Sequence, residues 1–214
     1  MRNNGRSEKL ITKNDKVVTK EKNDNFEHLI FINKIFTKNN FDKFNSITSF
    51  TDTTYSYIFI DGITLHDVDD MEISQIYKII DFIVEYQSFS NGVNVIVHGD
   101  ISPTNVVFNK VNNLPEYIID WDGSYFGSKY DDIGYICWLW VNFGNEKKEH
   151  DVYIKKISQI FTYLEWNKSD IEKTKKSILE RISKEKEKTK HCKNEFLQKW
   201  YTYCENWISK YWKF

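Results

Sequence analysis

The stretch VIVHGDISPTNVVF at residues 95–108, followed by YIIDWD at residues 117–122, decides the fold of this chain. The apolar runs within these segments predict three short strands joined by polar loops. The first strand leads to Asp100 in a loop, Asn105 begins the second strand, and the third strand ends at Asp120. We therefore expect these three side chains to face one another across a small pocket at the strand ends.

The side chains in this pocket suit phosphoryl transfer. One carboxylate can orient and deprotonate an accepting hydroxyl. An amide oxygen and a second carboxylate can hold Mg²⁺ on nucleotide phosphates, because Mg²⁺ needs only one or two protein oxygens beside phosphates and waters. The alternative is an Asp/Asn-rich turn between strands. The His-Gly-Asp order, with Asn105 five residues after Asp100, favours the first interpretation.

Composition narrows the class of protein. The 214 residues include 30 basic and 31 acidic side chains, and this balance argues against a nucleic-acid-binding protein. Hydrophobic residues make up 40% of the chain, which supports a packed core rather than disorder. No apolar run approaches the ~20 residues of a membrane span. Three cysteines without paired spacing indicate reduced thiols, so we expect a cytoplasmic protein that contacts no membrane.

The predicted secondary structure changes along the chain. The first part predicts a small antiparallel sheet with one helix: strands near residues 8–12, 16–20, 45–50 and 55–60, and a helix from Asn25. The second part predicts a helix over residues 69–88, the three short strands, and only helices beyond Asp132. One of these helices begins with a capping box at Ser169. The fold class predicted from this order is α+β.

Three short motifs resemble the aminoglycoside phosphotransferase/choline kinase-like phosphotransferase family: HGD at residues 98–100 with Asn105, IDWD at 119–122, and DDIG at 131–134. The resemblance is strongest over residues 95–142. It implies a protein-kinase-like, two-lobed fold with the nucleotide between the lobes.

The resemblance also implies a division of the chain. Residues 1–61 would form a reduced nucleotide-binding N-lobe with an antiparallel sheet. Residues 62–214 would form a mainly helical C-lobe with the catalytic loop and the acceptor site. Residues 3–7 (NNGRS) would occupy the place of a phosphate-covering loop, with a single glycine.

The same resemblance implies roles in the catalytic loop. Asp100 would be the catalytic base, and Asn105 and Asp120 would be the Mg²⁺ ligands. His98 would brace the loop, and Asp132 would cap it from below.

The residues expected to contact the nucleotide lie outside the three motifs. Lys20 would contact the phosphates and pair with Glu27 on the next helix. In the alternative interpretation, Lys20 is an exposed residue of a lysine-rich chain and Glu27 is a first-turn acid favoured by the helix dipole. The backbone from Phe59 to Asp61 would hydrogen-bond the base. Asp122 matches a commonly acidic position, with no role assigned.

These assignments predict an enzyme that transfers the γ-phosphate of ATP or GTP, with Mg²⁺, to a hydroxyl of a small molecule such as an aminoglycoside or a metabolite. The alternative is a pseudokinase that binds nucleotide or acts as a scaffold without turnover, which a short N-lobe favours. Four aromatic residues of the last helix either line the acceptor pocket or pack in the core: Trp200, Tyr203, Trp207 and Tyr211.

Overall fold

A four-stranded antiparallel sheet opens the fold, with strand order β1-β2-β4-β3. Its strands are β1 (Leu10–Lys13), β2 (Val17–Glu21), β3 (Ile47–Phe50) and β4 (Thr54–Ile58). The computed structural model describes residues 10–13, 17–64, 71–90, 92–145, 149–191 and 194–214. Strands β1 and β2 pair antiparallel, as the predicted small antiparallel sheet requires, while residues 3–7 lie outside the described part.

Helix α1 (Phe26–Lys38) joins this sheet to the centre of the molecule. Its buried residues recur at the spacing of one helical face: Phe26, Leu29, Ile32 and Phe36. The Phe26 ring lies 5.3 Å from the Tyr55 ring of β4, and the Phe36 ring lies 4.7 Å from the Trp121 ring. The helix therefore ties the sheet to the segment that carries Asp120.

The chain leaves the sheet through a close crossing at Gly62. The neighbouring Ile63 exchanges two backbone hydrogen bonds with Phe108, at 3.1 and 2.7 Å. A Cβ atom at Gly62 would lie 2.2 Å from Val107 Cγ1 and 2.8 Å from the Phe108 carbonyl oxygen. Only glycine allows the two backbones to approach this closely.

Two antiparallel ribbons follow helix α2 (Ile73–Ser88): β5 (Val95–Val97) pairs with β8 (Tyr125–Gly127), and β6 (Val106–Phe108) pairs with β7 (Pro115–Ile118). The three predicted strands are confirmed. Strand β8 was not predicted, because Tyr125 and Phe126 are both exposed and leave no buried apolar run as a signal. It forms one edge of the catalytic loop region.

The remainder is helical: α3 (Tyr130–Tyr135), a π-helical turn (Ile136–Trp140), α4 (His150–Tyr163), α5 (Lys168–His191) and α6 (Glu195–Tyr211). The predicted cap of α5 at Ser169 is wrong by two residues. Asn167 Oδ1 accepts the N–H groups of Ser169 and Asp170, at 2.8 and 3.2 Å. None of the helices in the described ranges is long and apolar enough to cross a membrane.

The aromatic residues of α6 divide between core and surface. Trp207 is 2% exposed and stacks on Phe143, with ring centroids 4.4 Å apart, as core packing predicts. Trp200 donates from Nε1 to the Gly144 carbonyl oxygen at 3.0 Å. Trp200 and Tyr203 line a surface groove together with Phe196. Together, the small sheets and the helices confirm the α+β class.

Candidate active site

Asp132 holds the catalytic loop from below. Its side chain is fully buried and accepts the backbone N–H of His98 at 2.8 Å and that of Gly99 at 3.0 Å. The Tyr86 hydroxyl donates to the same carboxylate at 2.5 Å. Burial raises the pKa of Asp132, while His98 and these hydrogen bonds oppose the shift. Asp132 thus contacts the loop backbone from below, as the resemblance implied.

His98 braces the loop through both ring nitrogens. Its Nδ1 accepts the backbone N–H of Asp100 at 3.2 Å, so Nε2 carries the proton and donates to the Ile119 carbonyl oxygen at 3.0 Å. The ring is fully buried and packs against Trp121, with centroids 4.6 Å apart. These contacts link the loop to the segment that precedes Asp120. The bracing role of His98 in catalysis stays a prediction.

Asp100 is held by one contact on each carboxylate oxygen. The Tyr135 hydroxyl donates to Oδ1 at 2.5 Å, and Asn105 Nδ2 donates to Oδ2 at 3.1 Å. Burial and then the Asp100 charge raise the pKa of Tyr135, so its hydroxyl stays protonated and remains a donor. The carboxylate orientation is thus fixed before any substrate binds.

Asn105 and Asp120 fit Mg²⁺. Asn105 Nδ2 also donates to the backbone carbonyl oxygen of Asp100 at 2.8 Å. Because the amide nitrogen faces Asp100, the amide oxygen Oδ1 faces away from Asp100. Ile119 donates its N–H to the Asn105 carbonyl oxygen at 2.9 Å, so Asp120 follows directly. One amide oxygen and one carboxylate are hard donors that suit Mg²⁺ beside phosphates.

The described residues contain no group of three or more His, Cys, Asp or Glu side chains that could hold a metal without such help. A metal at Asn105 and Asp120 would therefore depend on ligands from outside the chain, as nucleotide phosphates would supply. Asp120 suits this role because its side chain is 41% exposed and can reach ligands from outside the chain. Its backbone is left-handed, with φ 67°, a conformation that Asp tolerates better than most residues.

Lys20 lies in the same cleft as Asp120. Its Nζ is 2.6 Å from Asp120 Oδ1 and 2.7 Å from Asp122 Oδ2, and its side chain is 11% exposed. Burial by itself lowers the pKa of Lys20, but the two carboxylates outweigh burial and raise it above its ordinary value. Lys20 is therefore a buried cation, and its interpretation as an exposed surface lysine is wrong.

The other residues predicted to contact the nucleotide are more exposed than Lys20. Glu27 is exposed in the first turn of α1. Phe59 is half-buried just after β4. Asp61 is exposed, and its carboxylate accepts from Lys110 Nζ at 2.7 and 2.8 Å. The backbone contact of residues 59–61 with a base stays a prediction.

Three residues of the site were not assigned from sequence: Tyr135, Asp122 and Tyr55. Tyr135 follows Asp132 by three positions on one helix, so the two share a face, and this spacing was an available signal. Tyr55 lies directly opposite Lys20 in the pairing of β2 with β4. That pairing depends on sheet register, which no motif in the sequence specifies.

The chain is similar to known phosphotransferases in sequence over part of its length and in fold over nearly all of it. Residues 72–149 match the profile of the phosphotransferase enzyme family. Among curated protein sequences, none matches the chain significantly.

Solved structures resemble the chain at low identity. The GDP complex of wild-type aminoglycoside 2'-phosphotransferase-IIIa has 12% identity and a TM-score of 0.65, over 97% of this chain and 91% of that chain. The gentamicin complex of APH(2")-IIa has 14% identity and a TM-score of 0.57, over 94% and 88%. The streptomycin–ATP complex of APH(2")-IIa has 12% identity and a TM-score of 0.51, over 82% and 84%.

At these identities the solved structures establish the fold, and the profile match covers the segment with the catalytic loop. Residues 72–149 thus carry the sequence pattern of the phosphotransferase enzyme family, on the kinase-like fold of the aminoglycoside phosphotransferases.

Proposed function

We propose that this protein transfers the γ-phosphate of ATP or GTP to a hydroxyl group of a small molecule. The observation that carries the proposal is the chain of contacts that joins four residues: Asp100, Asn105, Asp120 and Lys20. Asp100 is hydrogen-bonded to Asn105, the Asn105 carbonyl oxygen accepts the N–H of Ile119 just before Asp120, and Asp120 is paired with the buried Lys20.

Asp100 accepts the proton of the acceptor hydroxyl. In the loose transition state of phosphoryl transfer the acceptor oxygen loses its proton late, so the carboxylate must already face it. The hydrogen bonds from Tyr135 and Asn105 supply this orientation. His98 and Asp132 contribute by fixing the loop backbone on either side of Asp100.

Asn105 Oδ1 and the Asp120 carboxylate would hold Mg²⁺ on the nucleotide phosphates. When bound, the ion neutralises charge on the transferred phosphoryl group. Lys20 adds a second positive charge from the sheet side of the cleft, and its raised pKa keeps it protonated. The backbone of residues 59–61, where the proposed N-lobe (1–61) meets the C-lobe (62–214), would bind the base, and Glu27 would lie at the rim.

The solved relatives support both substrates of the proposed reaction. Their complexes contain GDP, ATP, gentamicin and streptomycin, that is, nucleotides and hydroxylated small molecules. Aminoglycosides and other hydroxylated antibiotics or metabolites are accordingly the first acceptors to test.

Nucleotide titration by calorimetry tests the metal assignment. The wild-type chain is expected to bind ATP or GTP more tightly with Mg²⁺ than with EDTA. Asp120→Ala is expected to lose this dependence on Mg²⁺ and to remain folded, because the Asp120 side chain is partly exposed, with a modest loss of thermal stability because alanine fits the left-handed backbone at this position less well than aspartate does. An unchanged Mg²⁺ dependence in the variant would contradict the assignment.

A further inference from the structure

We propose that Asp122, rather than Glu27, positions Lys20 for the nucleotide phosphates. The inference rests on the proposed function. The sequence assigned no role to Asp122. In this proposal the partner of Lys20 is Asp122, in the turn that follows β7, and not Glu27 on helix α1.

The two carboxylates around Lys20 differ in how they are held. The side chain of Asp122 is 9% exposed, whereas that of Asp120 is 41% exposed. A buried ion pair is costly to break, because it leaves an uncompensated charge in a medium of low dielectric constant. A partly exposed pair exchanges partners at lower cost. Asp122 is therefore the permanent partner of Lys20, and Asp120 is the partner that can turn to a metal.

Asp122 is fixed from several directions. The Tyr55 hydroxyl donates to Oδ1 and Lys20 donates to Oδ2, so each oxygen has its own donor. Tyr55 and Lys20 lie opposite each other on neighbouring strands, and opposed residues share a face of the sheet. Asn25 Nδ2 donates to the backbone carbonyl of Asp122 at 2.8 Å. The carboxylate thus belongs to a hydrogen-bonded set that includes the sheet.

Glu27 lacks these constraints. It is exposed in the first turn of α1, where an acid is favoured by the helix dipole alone. Asn25, two residues before it, makes the contact with the Asp122 segment instead. Helix α1 therefore reaches the site through its N-terminal asparagine, and Asp122 takes the charge-pairing role.

An ammonium group has three donors, so Lys20 can keep Asp122 and still donate to a phosphate. When Asp120 turns to Mg²⁺, the bond to Asp122 keeps Lys20 Nζ in the cleft. Without Asp122, the flexible lysine side chain would have to be ordered by the nucleotide alone, at a cost in binding.

A double-mutant cycle on nucleotide affinity tests this role. The dissociation constant of Mg²⁺–ATP, or of Mg²⁺–GTP if that nucleotide binds more tightly, is measured for the wild type, Asp122→Asn, Lys20→Met and the double variant. Charge-assisted hydrogen bonds of this kind correspond to roughly a tenfold to hundredfold change in affinity. We expect each single variant to bind about tenfold more weakly, and the double variant no more weakly than Lys20→Met.

Two more variants accompany the cycle. Tyr55→Phe removes only the donor to Asp122 and is expected to weaken binding less than Asp122→Asn does, with no further effect in the Lys20→Met background. Glu27→Gln is the matched control and is expected to bind as the wild type does. Thermal unfolding shows whether each variant is folded. If Asp122→Asn does not fold, Tyr55→Phe still tests the role of Asp122.

Each other outcome has a distinct meaning. If the losses in Asp122→Asn and Lys20→Met add in the double variant, Asp122 acts independently of Lys20, as a metal ligand would, and the inference is wrong. A loss in Glu27→Gln that disappears in the Lys20→Met background would assign the pairing to Glu27. A wild-type chain that binds no nucleotide would overturn the proposed function, and the inference with it.

Discussion

The catalytic loop and the Lys20 region are built differently. In the loop, Asp132 and His98 are fully buried, and most of their partners lie within 35 residues of them in the chain. In the Lys20 region, the ion pairs join residues 100 and 102 positions apart, from strand β2 to the turn that follows β7. One site is held by its own segment, and the other exists only when distant parts of the chain dock.

Because of this difference, we expect the loop to govern the rate of phosphate transfer and the Lys20 region to govern the affinity for nucleotide. The loop fixes Asp100 before substrates bind, because Tyr135 and Asn105 hold its carboxylate oxygens. The position of Lys20 depends on the docking of the sheet through α1 and the Gly62 crossing. Changes in the loop should therefore have the largest effects on the transfer rate and on stability. Changes at the sheet and its crossing should have smaller effects, on nucleotide affinity or on stability.

The largest effect is expected for Asp100→Asn. The variant keeps the shape and most hydrogen bonds of the side chain but cannot accept a proton. Because general-base catalysis contributes about 10²- to 10⁴-fold, phosphate transfer should slow by at least about a hundredfold. The dissociation constant of the Mg²⁺-nucleotide should stay near the wild-type value. Transfer at the wild-type rate would show that Asp100 is not the base.

Asp132→Ala should cause the largest loss of stability. It leaves the N–H groups of His98 and Gly99 and the Tyr86 hydroxyl without their acceptor in the core. Each unsatisfied donor costs about 1–3 kcal/mol, so we expect a fall of about 3 kcal/mol or more in the free energy of unfolding in urea. Tyr86→Phe removes one donor and should cost less. Equal losses in the two variants would argue against the loop contacts.

Gly62→Ala should have an intermediate effect. Its Cβ would overlap Val107 Cγ1 and the Phe108 carbonyl oxygen, so the crossing strands must separate. Overpacking of this kind costs about 1–3 kcal/mol. Gly92→Ala is the control, because the nearest atoms to its Cβ are 3.9 Å away. Urea unfolding that shows the same stability for both variants would contradict the close crossing.

The smallest effect is expected for Asp61→Asn. Its ion pair with Lys110 is on the surface, with the Asp61 side chain 74% exposed. Exposed pairs contribute less than about 1 kcal/mol, and the proposed base contact at this position uses the backbone. Both the free energy of unfolding and the nucleotide affinity should match the wild type closely. A marked loss of nucleotide affinity would show that the side chain itself takes part.

The sequence predicts the catalytic loop well because its parts are close in the chain. His98, Asp100 and Asn105 lie within one strand-loop-strand unit, and a short motif fixes their arrangement. Lys20 could be selected as a candidate from its alternation with Val18 on β2. Its partner could not, because Asp122 reaches Lys20 only after the sheet has docked.

Other departures have equally local causes. Strand β8 has exposed aromatic residues and no buried apolar run, so it carries no strand pattern. Ser169 and Glu172 have the spacing of a capping box, but Asn167 and Asp170 have the same spacing and form the contacts at the start of α5. Local patterns of this kind identify a helix start to within a turn.

The central claim, that this cleft transfers phosphate to a hydroxyl, is tested most directly by following γ-labelled ATP and GTP with Mg²⁺ and a panel of aminoglycosides and other hydroxylated small molecules. We predict a phosphorylated acceptor with the wild-type chain, formed at least about a hundredfold more slowly by Asp100→Asn. Tight nucleotide binding with no transfer to any acceptor or to water would contradict the claim and identify the protein as a pseudokinase.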